Sequence, residues 1–325
     1  NSLYEIKEDT AKDATVAAAA KTIVDRVDKE YGVVFAKSEV TLNGAKAPNG
    51  NRDSETNNGD LITDAMIWKV MQNKDGLTVD ADHVVAITNG GGIRAAIKPG
   101  DVTKKDINTV LPFGNTVAVI YVTGAELLEA LEASTYSLPV GGFPQVAGIN
   151  FTLSTAVAYD ANAETYPAST YYGPKSINRV TINSINGKEF KADDTYAVVT
   201  NNFVAGGGDT YYAFAAASAQ FDTGIPLDEA VMEYVTTELK GVIGAQYAAP
   251  QGRILLNPFK DVKASSWFGK YVIDLYNDGI INGTSATTYA PNDTLTWAAA
   301  LKLLLVSNGD LKAADATGAD WSKNV

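Results

Sequence analysis

Two strand-like runs in this chain end in glycine triplets. "HVVAITN" feeds into "GGGIR" at Gly90–Arg94, and "YAVVTNNFV" feeds into "AGGGDTYY" at Ala205–Tyr212. Glycine loses more backbone entropy on ordering than any other residue, so three in a row end a strand rather than prolong it. They also tolerate positive φ and leave room for a close neighbour. The spacing therefore predicts two loops whose backbone is approached closely, read here as approach by a ligand. Arg94 closes the first loop, while Phe203 and Asp209 flank the second. Taken singly, a glycine triplet also fits a plain turn.

The rest of the composition narrows the ligand. The 325 residues carry a formal net charge of -12, which argues against nucleic-acid polymers and anionic membrane surfaces. A small anion remains compatible, because a few local arginines reverse the local field. There is no cysteine, so disulfide and thiol chemistry are excluded, and a cysteine-free chain suits an exported protein. A single histidine, His83, is too few for the usual zinc, iron or dinuclear sites. His83 is expected at the partly exposed start of a strand. No apolar run reaches the length of a membrane span. The opening "NSLYEIKEDTAKDA" has no signal-peptide pattern, and the chain reads as a piece of something longer.

Along the chain, residues 12–31 have helical spacing, followed by a strand in "GVVFAKSEVTL". "SETNNGDLITDAMIWKVMQ" predicts a helix capped by Asn58, with Leu61, Ile62, Ala65, Met66 and Val70 inward. "NTVAVIYVT" reads as a strand and "GAELLEALEAS" as a helix; strands follow in "INFTLST", "INRVTINSING" and "GRILLN", with a helix in "PLDEAVMEYVTTELKG". Helices and strands mix without strict alternation. That pattern predicts an α/β or α+β domain with mixed sheets rather than a doubly wound dinucleotide fold, and neither GxGxxG nor GxxxxGK[ST] is present. Composition shifts near residue 257, dividing the chain into 1–256 and 257–325, and the second part reads as helix, turn, helix.

Five motifs occur in order: "RDSETNNGDLITDAMI", "ITNGGGIRAAIKPGDVT", "VLPFGNTVAVIYVTGAELLEALE", "GGFPQVAGINFT" and "YAVVTNNFVAGGGDTYYAF". Together, over roughly residues 10–256, they resemble the C-terminal domain of the 5′-nucleotidase family. The resemblance implies a domain that binds the nucleoside part of a nucleotide. A separate N-terminal domain, absent from this chain, would hold a divalent metal pair and the catalytic residues. It assigns Phe113 of "LPFGN" and Phe203 of "NNFVAGGGD" to rings that sandwich the base, Asn115 to the base edge, and Asp209 to the ribose hydroxyls. Arg94 and Arg52 would reach phosphate or ribose. Where the family often carries a further arginine, Pro48 stands here, with Lys46 nearby. Without the resemblance, Phe113 and Phe203 read as core residues, and Arg52 and Arg94 as surface or salt-bridge residues.

The tail resembles one S-layer homology repeat. Phe259, Asp261, Trp267, Tyr271, "GIING" and "APNDTLT" fit it, but Trp297 and Ala299 stand where Arg and Glu are expected. That resemblance implies cell-wall polysaccharide as a partner and an extracellular, wall-associated location. Trp297 is expected in a core or an interface rather than against sugar. Two rival readings stay open beside a nucleotide-recognition domain. One is a non-catalytic wall scaffold built on the same fold. The other is an enzyme using carboxylates alone, such as a glycosidase, for which no acid pair stands out.

Overall fold

The computed structural model describes residue 7 and residues 10–158 and 178–312. Its centre is a five-stranded sheet in the order β5-β2-β8-β4-β9, comprising β2 (Val84–Asn89), β4 (Thr116–Thr123), β5 (Pro144–Ala147), β8 (Thr195–Asn201) and β9 (Ala219–Pro226). β2 and β8 run parallel, whereas β5, β4 and β9 pair antiparallel to their neighbours. Two three-stranded sheets complete the mixed architecture. β1 (Val34–Ser38) lies between β3 (Gly100–Thr103) and β10 (Val242–Ile243); β6 (Ile149–Ser154) lies between β7 (Val180–Ile185) and β11 (Ile254–Asn257).

The central strands are apolar on both faces because both are covered. Val84, Ala86, Val119 and Val199 face α2 (Asn57–Met71) and α7 (Leu227–Thr237). Val85, Ile87, Ile120 and Val198 face α4 (Gly124–Ser134) and the β6 layer. Each of these valine and isoleucine side chains contributes roughly 1.5–3 kcal/mol when fully buried. On α2, the predicted inward set Leu61, Ile62, Ala65, Met66 and Val70 is buried. Its cap differs from the sequence expectation. Thr56, not Asn58, closes the helix start, its Oγ1 accepting the Gly59 N–H at 3.1 Å. Asn58 lies buried in the first turn and donates to the Ala95 carbonyl at 3.2 Å.

Elsewhere α4 matches its sequence-based limits, while α3 (Lys104–Val110) emerges from the stretch "DVTKKDINTV" through a Thr103/Asp106 capping box. α1 (Ala14–Tyr31) buries none of its residues. His83 ends a short turn just before β2, one residue earlier than a strand start.

Beyond β11 a third apolar cluster forms around Phe259, Val262, Val272, Ile273 and Ile281. It holds α8 (Gly269–Asn277), and Leu303 of α9 (Trp297–Ser307) packs against it. Asp261 accepts the Tyr289 and Ala290 N–H groups at 3.0 and 2.7 Å, tying the segment before α8 to the one that leads into α9. The Asn277 side chain pairs with both backbone groups of Leu256, each at 2.9 Å, joining α8 to β11. Trp297 is 92% exposed, so it is not a core residue as half of the expectation held. The first turn of α9 points it away from the cluster.

Candidate functional site

Four strand ends converge at one edge of the central sheet. β2 and β8 are parallel neighbours, so both finish there, at Asn89 and Asn201. The antiparallel β4 and β5 begin there, with Val117 opposite Asn201 and Pro144 opposite Asn89. The loops after β2 and β8 and before β4 and β5 are thereby gathered at the carboxyl ends of the parallel pair. That is where open α/β sheets bind ligands.

Between these loops lies a cleft with a cavity volume of about 600 Å³, inside the range of small-molecule sites. Arg52, Arg94, Phe113, Asn115, Phe203 and Asp209 all line it. The two phenylalanines are 60% and 46% exposed, so neither is a core residue. Phe203 does not end a strand. It sits in the single turn α5 (Asn202–Ala205), which the Asn201 side chain caps by accepting the Val204 N–H at 2.9 Å. α6 (Tyr212–Ala215) follows the second glycine loop.

Asp209 adopts φ +53°, the left-handed region. Asn89 Nδ2 donates to its Oδ2 at 2.8 Å, and Asn201 Nδ2 in turn donates to Asn89 Oδ1 at 3.1 Å. Burial raises the Asp209 pKa, opposed by the Asn89 hydrogen bond and the nearby Arg52 charge. Oδ1 accepts no protein hydrogen bond among the described residues, leaving an acceptor for a donor from outside. Arg94 reaches back to the Gly91 carbonyl at 3.1 Å and holds its guanidinium carbon 5.7 Å from the Phe113 ring centre. Two arginines against one carboxylate make this corner locally positive in a chain of net charge -12. Lys46 and Pro48 are exposed and do not line the cleft.

The glycine loops work differently from the sequence expectation. Gly90 donates to Phe143 O at 2.8 Å and Gly91 to Gly141 O at 2.7 Å, so these N–H groups are already used. A methyl group on Gly90 would lie 1.5 Å from the Asn51 carbonyl oxygen. Of the second triplet only Gly207 has positive φ, and Gly208 has the Phe203 ring 2.6 Å from where a Cβ would stand. At Gly90 and Gly208 what comes close to the backbone is the chain itself, whereas Gly91 and Gly92 line the cleft. Asn89, Pro139, Val140 and Gly141 also line the cleft and were not singled out from the sequence. Asn89, immediately before the triplet, was the one with a readable signal.

Comparisons with known proteins decide the family. Residues 34–216, more than half of the chain, match the family described as 5′-nucleotidase, C-terminal domain. The chain belongs to that family. Residues 258–300 match the S-layer homology domain. Among relatives, the trifunctional nucleotide phosphoesterase protein YfkN of Bacillus subtilis is 38% identical over 222 residues, covering 66% of this chain and 13% of that protein. The cell wall protein Lmo0130 of Listeria monocytogenes is 33% identical, covering 51% and 19% respectively. The structure of a 5′-nucleotidase precursor from Thermus thermophilus superposes with a TM-score of 0.55 at 31% identity, covering 74% of this chain and 42% of the other. The chain thus spans less than half the length of each.

No ligand set among the described residues fits a metal pair of the kind the 5′-nucleotidase family implies. Among the described residues, no three His, Asp or Glu side chains are placed to hold a metal. Both ring nitrogens of His83 are engaged, Nδ1 by Asp82 at 2.6 Å and Nε2 by Asp194 at 3.3 Å. The acids Asp60 and Asp64 surround the Arg253 guanidinium. No hydrolytic step is assigned to these residues. Among the described residues, no helix is long and apolar enough to cross a membrane.

Proposed function

We propose that this chain is the nucleoside-recognition part of a 5′-nucleotidase-type phosphoesterase held at the bacterial cell surface. Hydrolysis would be carried out by a metal-bearing domain elsewhere in the parent protein. Phe113 and Phe203 stack on the base, where faces tolerant of base identity contribute roughly 1–3 kcal/mol per ring. Asn115 meets the base edge. Asp209 accepts the ribose hydroxyls with its free oxygen, and Arg94 and Arg52 meet phosphate or ribose with forked donors. The division near residue 257 separates this recognition part from the S-layer homology module, a cell-surface element. One observation carries the reading. Two exposed phenyl rings, two guanidinium groups and one half-free carboxylate line a single cleft of ligand size.

Among the described residues the cleft has two arginines and no third, which favours a second reading, a wall scaffold that keeps the fold without binding nucleotide. One experiment separates the two. The purified chain is titrated with AMP and then incubated with AMP and divalent metal. One-to-one binding without sustained phosphate release is expected. Sustained release would place catalysis in this chain, and no binding would favour the scaffold.

A further inference from the structure

A small recess opens off the cleft and shares Gly92, Phe113 and Asn115 with it. Its cavity volume is about 10 Å³, room for one water-sized group. The far wall includes Asp228, in the first turn of α7. Asp228 Oδ2 accepts the Asn108 side-chain N–H from α3. Oδ1 takes no hydrogen bond among the described residues. The Asn115 amide is likewise unbonded there. Its backbone carbonyl accepts the Leu227 N–H at 2.9 Å, which brings Asn115 beside the start of α7. A free carboxylate oxygen and a free amide therefore border one recess, next to the ring of Phe113.

We propose that this recess reads the exocyclic group of the base and selects a 6-amino purine over a 6-oxo purine, with Asp228 as the specificity-determining residue. The inference rests on the base lying against Phe113, as in the proposed function. An ionised carboxylate only accepts hydrogen bonds, whereas an amide both donates and accepts. The edge of adenine presents the N6 amino donor beside the N1 acceptor, and carboxylate plus amide form its complement. Hypoxanthine and guanine place the O6 acceptor at that position, facing a carboxylate oxygen with no proton between them. The volume admits one such group and nothing larger, so the discrimination is made by hydrogen-bonding sense, not size.

The test uses the whole chain and three nucleosides that differ at C6: adenosine, purine riboside (hydrogen at C6) and inosine. Calorimetric titration is expected to give adenosine at least roughly tenfold tighter than inosine, with purine riboside between them. In Asp228→Asn, whose amide can donate to O6, the adenosine-to-inosine ratio should fall below about threefold. The wild-type series decides the matter even if the variant fails to fold. Equal binding of adenosine and inosine by the wild type overturns the inference and leaves the proposed function standing. A folded Asp228→Asn that keeps the full ratio overturns the role of Asp228. Binding of none of the three overturns both.

Discussion

Gly90→Ala is expected to destabilise the chain by about 3 kcal/mol or more, the range of substitutions that force a buried backbone apart. The added methyl would stand 1.5 Å from Asn51 O and 2.5 Å from its carbonyl carbon. Neither partner has freedom to retreat. Asn51 is fully buried, its N–H donates to Ala45 O at 2.9 Å, and its Oδ1 accepts Thr56 Oγ1–H at 2.5 Å. Gly90 is itself tied to Phe143 O. For a domain of this size the melting temperature should fall by roughly 6–12 °C. Because Gly90 stands between Asn89 and the cleft-lining Gly91, nucleoside affinity should fall with it. Gly76→Ala is the control, since nothing lies within 4 Å of a Cβ at that position. If the two variants melt alike, the close approach of Asn51 is not what requires glycine.

Asp60→Asn is expected to stabilise the chain, by an amount that grows with pH. Asp60 is fully buried and Oδ1 has no hydrogen-bond partner; Arg253 Nε stands 3.6 Å away, beyond bonding reach. Burial first, and then the adjacent Glu55 charge, push its pKa up from 3.8 to about 9, against the pull of Arg253. Asp64, the remaining acid facing it, accepts both bonds from Arg253 Nη2, at 2.8 and 2.9 Å. The folded chain therefore keeps a proton that the unfolded chain releases above its ordinary carboxylate range. By linkage, the stability attached to that proton is complete below pH 3.8 and declines as pH rises towards 9. An amide supplies the same donor and acceptor without the ionisation. It can donate to the neighbouring Glu55 carboxylate and accept the Gln251 N–H that Oδ2 now takes at 3.2 Å. The gain should be of order 1–3 kcal/mol at pH 8 and smaller at pH 5. Denaturant unfolding of both proteins across that interval measures it. A difference that stays constant with pH would show that Asp60 is already ionised in the fold.

Much of this arrangement was legible in local pattern. The bounds of α4 follow from its Thr123 cap and helical spacing, and α2 buries the residues its period points inward. β4 shows as an unbroken apolar run because both of its faces are covered. β5 and β9 did not show. β5 is four residues long, and β9, "AQFDTGIP", is largely exposed and interrupted by Asp222 and Gly224. A half-wet edge strand leaves no apolar period to read. The candidate site was readable as residues but not as mechanics. Six side chains separated by up to 157 positions share one cleft because two parallel strands end beside two antiparallel starts. The role of Gly90 depends on Asn51, 39 positions earlier, and no local spacing reveals that contact. Trp297 was expected in a core or an interface; at 92% exposed it is not in the core, and α9 buries none of its residues.

Calorimetric titration of adenosine into the wild-type chain, Phe113→Ala, Phe203→Ala and the double variant tests the nucleoside cleft most directly. Saturable one-to-one binding to the wild type is expected, weakened roughly 5- to 150-fold by either single change and undetectable in the double variant. Both rings are exposed, so their removal should leave the melting temperature nearly unchanged. A double variant that is folded and still binds adenosine as tightly as the wild type would contradict the account.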